Sequence, residues 1–129
     1  MNKMNFPIKE SMVELFSSVG WDITEDSEKL FEAIVNKSSH SSFAFADNKL
    51  VGCIRSMDDG YWQANIDCLI VHKDYQNMGI GTQLMNTLLK DLENIKYINV
   101  CPNDKNMKKF YQKFGFKSIG GIFLQKENS

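Results

Sequence analysis

The chain has 129 residues, 43% of them hydrophobic and 24% charged, ordinary values for a soluble globular protein with enough material for one core. Its 15 Lys and Arg against 16 Asp and Glu leave a formal net charge of -1, which removes bulk electrostatics as a route to nucleic acid or to an anionic membrane. No apolar run approaches the roughly 18 residues of a membrane span. Met1-Asn2-Lys3-Met4-Asn5 has no signal-peptide core, so a cytoplasmic location is expected.

Met12, Leu15, Phe16 and Val19 share one helical face, and Gly20 supplies a C-terminal stop. A second helix is expected from Asp26-Ser27, carrying Leu30, Phe31, Ile34 and Val35. The polar run Asn36-Lys37-Ser38-Ser39 leads to a strand at Phe43-Ala44-Phe45-Ala46, with Asp47-Asn48 as a hairpin turn and Leu50 to Arg55 returning. Asp58-Asp59-Gly60 is a further turn. Ile66-Asp67-Cys68-Leu69-Ile70-Val71 then reads as a buried strand, β-branched residues in a short apolar run.

After a glycine-bearing turn, Ile80, Leu84, Leu88 and Met85, Leu89, Leu92 recur at helical spacing. Tyr97 to Cys101 is a short strand stopped by Pro102. A helix with Met107, Phe110, Tyr111 and Phe114 on one side ends at Gly115, and Phe116 to Ile119 and Ile122 to Leu124 are expected as two short strands. Two helices, an antiparallel meander and then strand, helix, strand, helix and strand make a mixed α/β plan, read as one domain over residues 1–129.

Cys53, Cys68 and Cys101 are odd in number and widely spaced, without a CxxC pair, and read as reduced, buried small hydrophobes. His40 and His72 are read as surface or loop residues, and no metal site is expected. Lys105, Lys108, Lys109 and Lys113 read as a solvated helix face from which one lysine could reach a phosphate.

The turn Gln76-Asn77-Met78-Gly79-Ile80-Gly81-Thr82 joins strand directly to helix. Glycines there let backbone approach a ligand closely, and the first N–H groups of a helix lie unpaired at its positive end, so the turn suits a diphosphate. A P-loop needs Lys and then Ser or Thr after the last Gly, but Thr82-Gln83 follow Gly81. A dinucleotide fingerprint needs three glycines, and only Gly79 and Gly81 are present. The pattern Gln/Arg-x-x-Gly-x-Gly/Ala, matched at Gln76, Gly79 and Gly81, resembles the coenzyme A pyrophosphate loop of the GNAT N-acetyltransferase superfamily. The run from Asp104 to Phe116, with Phe110-Tyr111 and a closing Gly115-Phe116, resembles that superfamily's second signature. The family often has Asn where this chain has Asp104, with Asn103 and Asn106 beside it. Val51-Gly52, Arg55, Asp58, Asp67, Val71 and Tyr75-Gln76 are similar to small arylalkylamine-type members.

The resemblance implies a GNAT fold, a mostly antiparallel sheet with a splayed pair of parallel strands, flanked by helices. It implies acetyl-CoA as cosubstrate and direct acetyl transfer to a primary amine, with no metal. Met78, Ile80 and Thr82 would join Gly79 and Gly81 around the diphosphate, with Gln76 and Asn77 shaping the approach and Asn103 or Asn106 assisting. Leu69, Ile70 and Val71 would pair with the pantetheine arm, and an N–H near Leu69 would polarise the thioester carbonyl. Asp67, expected to alternate with Leu69 on one strand face, is either the start of a proton-removal chain or a structural acid. Tyr111 is either the general acid for the departing thiolate or a core aromatic. Trp21, Tyr61 and Trp62 are candidate walls for the acceptor, and Asp58 or Asp59 candidate attractors of its charge. A small-molecule amine and a monomer or homodimer are expected. A non-catalytic acyl-CoA-binding module and a protein N-terminal or lysine acetyltransferase stay open as alternatives.

Overall fold

The computed structural model describes residues 7–121 and 124–128. The expectations for Met1 to Asn5 and for Ile122 and Phe123 lie outside the described residues.

Helix α1 (Lys9–Ser18) buries Met12, Leu15 and Phe16, the face expected from their spacing. It stops because Gly20 takes φ 92°. That turn lets Gly20 N–H donate to Ser17 O at 3.0 Å and Trp21 N–H to Phe16 O at 2.9 Å, the paired bonds of a Schellman ending. Helix α2 (Ser27–Asn36) buries Ile34. Strands β1 (His40–Ala46) and β2 (Lys49–Asp58) are joined by Asp47 and Asn48, both at positive φ, as a tight hairpin demands. Strand β3 (Gln63–Val71) runs antiparallel to β2. A single 3-10 turn (Lys73–Tyr75), unforeseen in the sequence, precedes helix α3 (Ile80–Asp91). Strand β4 (Tyr97–Val100) and helix α4 (Lys105–Gln112) follow.

The sheet order is β1-β2-β3-β4, with β4 parallel to β3 and the other pairs antiparallel. One face carries α1 and α2 over Cys53 and Ile70; the other carries α3 and α4 over Ile54, Ala64 and Ile66. Gly52 sets how closely α3 approaches: a Cβ there would lie 3.0 Å from Leu84 Cδ1 and 3.1 Å from Ile80 Cγ2.

The strand expected at Phe116 to Ile119 does not form. Phe116 to Ile119 are irregular, and so is Leu124. β-propensity alone does not make a strand without a ladder partner. Among the described residues no helix is long and apolar enough to cross a membrane.

Candidate active site

The site begins where two strands part. β3 and β4 pair from Gln63 opposite Tyr97 to Ile66 opposite Val100, while β3 runs on to Val71. At the same place β3 bulges. Arg55 pairs with Asp67 and Cys53 with Ile70, so Ile54 alone faces both Cys68 and Leu69. Cys68 takes up the extra residue at φ 57°, a left-handed conformation that costs a non-glycine about 1–2 kcal/mol. Cys53 Sγ donates to Cys68 O at 3.3 Å and braces the distortion.

The bulge overturns one expectation. Asp67 and Leu69 do not share a face: Asp67 turns to Arg55, on the α1–α2 side, while Leu69 packs into the α3–α4 core. Arg55 Nε donates to Asp67 Oδ1 at 2.6 Å and Nη2 to Oδ2 at 3.4 Å. Burial lowers Arg55, but the Asp67 carboxylate dominates and lifts it above its ordinary value.

The loop after β3 is shaped by Asn77 at φ 64° and Gly79 at φ 83°. Gln76 Nε2 donates to Val71 O at 3.1 Å, so this side chain closes the loop onto the end of β3. Helix α3 has no side-chain cap, and Gln83 N–H to Gly79 O at 3.0 Å is its first closing bond. The N–H groups of Ile80, Gly81 and Thr82 therefore precede the helical ladder and face outward along its positive end. A Cβ on Gly79 would meet nothing within 4 Å; one on Gly81 would touch Phe110 Cζ at 3.6 Å. The first turn of α3 is thus roofed on one side by α4 and open on the other.

On α4, Tyr111 is 7% exposed, with its ring edge-on to Phe110 at 5.5 Å and to Phe116 at 5.8 Å. Burial first, and the Asp67 charge second, raise its phenol above the ordinary value. Asp104 is the N-cap of α4, accepting from Met107 N–H at 2.8 Å. Asn and Asp cap about equally well, so the departure from the family's usual residue keeps this local job.

These elements enclose a cleft of about 790 Å³. Asp67 to Val71, Gln76, Asn77, Gly79 to Thr82, Asn103 and Tyr111 all line it. Met78 and Asn106 do not, and Met78 is 66% exposed. Cys101 and Lys113 also line it. Cys101 is exposed, contrary to the expectation of burial, because the parting strands leave it uncovered. Cys53 is buried, and Cys68 is half-buried.

Of the aromatic candidates, Trp21 lines the cleft beside Val19. Tyr61 and Trp62 do not: Trp62 meets Tyr97 edge-on at 5.2 Å with Lys96 over both rings, at the start of β4 and away from its parting end. Asp59 Oδ1 accepts from Tyr61 and Trp62 N–H groups, and Asp58 pairs with His40, so both acids serve the turn and its base. His72 is buried, not a surface residue, and half-buried His40 opens β1. Among the described residues no group of His, Cys, Asp or Glu is placed to hold a metal ion.

Residues 8–116 match the model of the acetyltransferase (GNAT) family. The chain belongs to that family. It is 32% identical over 108 residues to the uncharacterized N-acetyltransferase ycf52 of Gracilaria tenuistipitata var. liui, covering 80% of this chain and 58% of that protein's length. A GNAT-family acetyltransferase from Streptococcus pneumoniae superposes with a TM-score of 0.76 at 26% identity, covering 98% of this chain and 97% of its own. The enzyme AAC(6')-Iy, in complex with the bisubstrate analogue CoA-S-monomethyl-acetylneamine, shares the fold at a TM-score of 0.70 and 16% identity, covering 100% of this chain and 95% of its own.

Proposed function

We propose that this chain moves an acetyl group from acetyl-CoA to a primary amine by direct transfer in a ternary complex. The observation that carries the proposal is the unshared edge of β3 beyond Ile66, followed, after the 3-10 turn and the glycine loop, by an uncapped α3. An unpaired strand edge accepts an extended amide-bearing chain, and an uncapped helix start accepts a diphosphate. The residues present fit both halves of coenzyme A, and Gly79, whose Cβ position is open space, leaves room above the loop. The solved complex of AAC(6')-Iy with a coenzyme A bisubstrate analogue supports the same reading.

In this assignment Leu69, Ile70 and Val71 hold the pantetheine arm through their backbone, while the N–H groups from Met78 to Thr82 bind the diphosphate. Gln76 holds the loop to Val71. Acetyl-CoA supplies the acetyl group as a thioester, and an N–H near Leu69 stabilises the oxygen charge that develops during transfer. An alkyl ammonium with a pKa near 10.4 is nucleophilic in about one molecule in a few thousand at pH 7, a handicap of roughly 4–5 kcal/mol. Asp67, fixed by Arg55 and with its side chain 58% exposed, receives that proton through water. Tyr111 stays protonated because burial raises it, and its O–H donates to the leaving thiolate. Burial pushes the Cys68 thiol up to about 12, which leaves little thiolate for a covalent acetyl-enzyme. The acceptor enters beside Trp21. A cytoplasmic, monomeric or homodimeric protein of one domain completes the proposal.

A panel of small amines with acetyl-CoA, read by thiol release, tests it. Amine-dependent release is expected. Tight coenzyme A binding without turnover would make the chain a binding module, and release only with peptides would make the acceptor a protein.

A further inference from the structure

His72 is a buried polar residue that the transfer chemistry does not use. Its side chain is 6% exposed, and both ring nitrogens are engaged. Asp74 N–H donates to Nδ1 at 3.1 Å, so Nδ1 carries the lone pair and the ring proton belongs on Nε2. Nε2 faces Glu14 Oε2 of α1 at 3.3 Å. Lys49 Nζ grips the same oxygen of Glu14 at 2.7 Å, and Lys49 first, then His72, hold that carboxyl below its ordinary range. The Tyr75 ring stands edge-on to the imidazole at 5.6 Å, and the His72 backbone N–H donates to Val51 O at 2.8 Å. A second tie runs in parallel, from Lys73 N–H to Ser18 Oγ of α1 at 3.1 Å.

The His72 and Lys73 bonds converge on the 3-10 turn, which is followed at once by the Gln76–Thr82 loop. At the other end of the brace, α1 gives way to Val19 and Trp21 on the cleft wall. Neither His72, Glu14 nor Ser18 lines the cleft.

We propose that His72 is a positioning residue for the coenzyme A loop, docking the 3-10 turn onto α1 so that the helix bordering the acceptor side and the loop binding the diphosphate are held as one unit. This rests on the coenzyme A reading of the cleft. The Asp74 bond fixes the turn, and the Glu14 and Ser18 bonds fix the turn to α1. Removing either set leaves the loop N–H groups intact but scatters their aim, and preorganised donors lose affinity when their aim is lost.

The test is calorimetric affinity for coenzyme A, with thermal melting as a fold control, in the wild type, His72→Phe, His72→Asn and the double variant Glu14→Ala/Ser18→Ala. Phe keeps a ring and loses both bonds; Asn offers an oxygen near the Nδ1 position for Asp74 N–H but cannot reach Glu14. His72→Phe should weaken binding about tenfold or more, the loss of one to two net hydrogen bonds. His72→Asn should recover the share of that loss owed to the Asp74 bond but not the share owed to Glu14, and the α1 double variant should weaken binding about three- to tenfold although it touches no cleft residue. A rescue by Asn separates aiming of the loop from general packing, since Asn fills the cavity no better than Phe. Wild-type affinity in both His72→Phe and the α1 variant would overturn the inference, as would equal weakness of Asn and Phe. Should His72→Phe fail to fold, the α1 variant and His72→Asn decide alone. No coenzyme A binding by the wild type would instead overturn the reading of the cleft.

Discussion

Ile66 and Val100 are the last residues at which β3 and β4 pair, and just beyond them Cys68 turns to φ 57° and bends β3 away. That coincidence makes the cleft: the parting of the strands frees an edge, and the bulge aims it. The uncapped start of α3 lines the same cleft as the freed edge.

Gly81→Ala separates ligand from fold. Its Cβ would sit in ordinary contact with Phe110, so the melting temperature should hold while coenzyme A affinity falls about tenfold through obstruction of the backbone N–H groups. Gly79→Ala should instead cost about 1–2 kcal/mol of stability, because φ 83° is left-handed. Calorimetry and thermal melting on both variants check this; undiminished affinity in Gly81→Ala would remove the loop from the site.

The glycine loop was legible because a short β-branched apolar run meets a 3.6-period helix with two glycines between, and each signal is local. The face of Asp67 was not. Asp-Cys-Leu carries no mark of a left-handed Cys68, which is held by Cys53 from a neighbouring strand. The exposure of Cys101 depends on the same parting of strands, and the burial of His72 on Glu14, 58 residues away. The packing role of Gly52 has no local mark either, since only the seating of Leu84 and Ile80 reveals the need for no Cβ. Phe116 to Ile119 had strand composition, but composition cannot supply a ladder partner.

Cys101 offers a footprint of the ligand. It is exposed on the cleft wall, while burial pushes the Cys53 and Cys68 thiols up. Iodoacetamide at neutral pH should modify Cys101 first, and saturating coenzyme A should slow that reaction about tenfold or more. Peptide mapping reads both. Modification of Cys101 at the same rate with and without coenzyme A would place the ligand elsewhere.

Tyr111→Phe keeps the ring contacts with Phe110 and Phe116 and deletes the O–H. A lost general acid costs about 10²–10⁴-fold, or roughly 3–5 kcal/mol of barrier. The expected result is a lower kcat with nearly unchanged acetyl-CoA affinity. Since burial raises the Tyr111 phenol above 10.0, the unfolded chain ionises first on raising the pH. Its contribution to stability is complete below about pH 10 and is lost as pH climbs through the folded value, a loss that Tyr111→Phe should remove. Wild-type turnover where chemistry limits the rate would defeat the acid assignment.

Asp67→Asn removes the carboxylate that pairs with Arg55, whose side chain is 19% exposed. Stability should fall by about 1 kcal/mol or less, because water screens an ion pair whose acid is 58% exposed. If Asp67 also receives the amine proton through water, turnover should fall most at low pH, where the amine is most fully protonated, and the pH profile should change shape. A uniformly scaled profile in the folded variant would leave Asp67 as the anchor of Arg55 alone.

The central claim is that coenzyme A lies along the freed edge of β3 with its diphosphate at the start of α3. Amide hydrogen exchange, read residue by residue with and without coenzyme A, tests it most directly. Slowed exchange is predicted at backbone amides within Leu69 to Val71 and within Met78 to Thr82, where a new strand-like partner and a bound anion shield the N–H groups. Unchanged exchange in both segments, with protection appearing instead along β4 at Ile98 to Val100, would contradict the account.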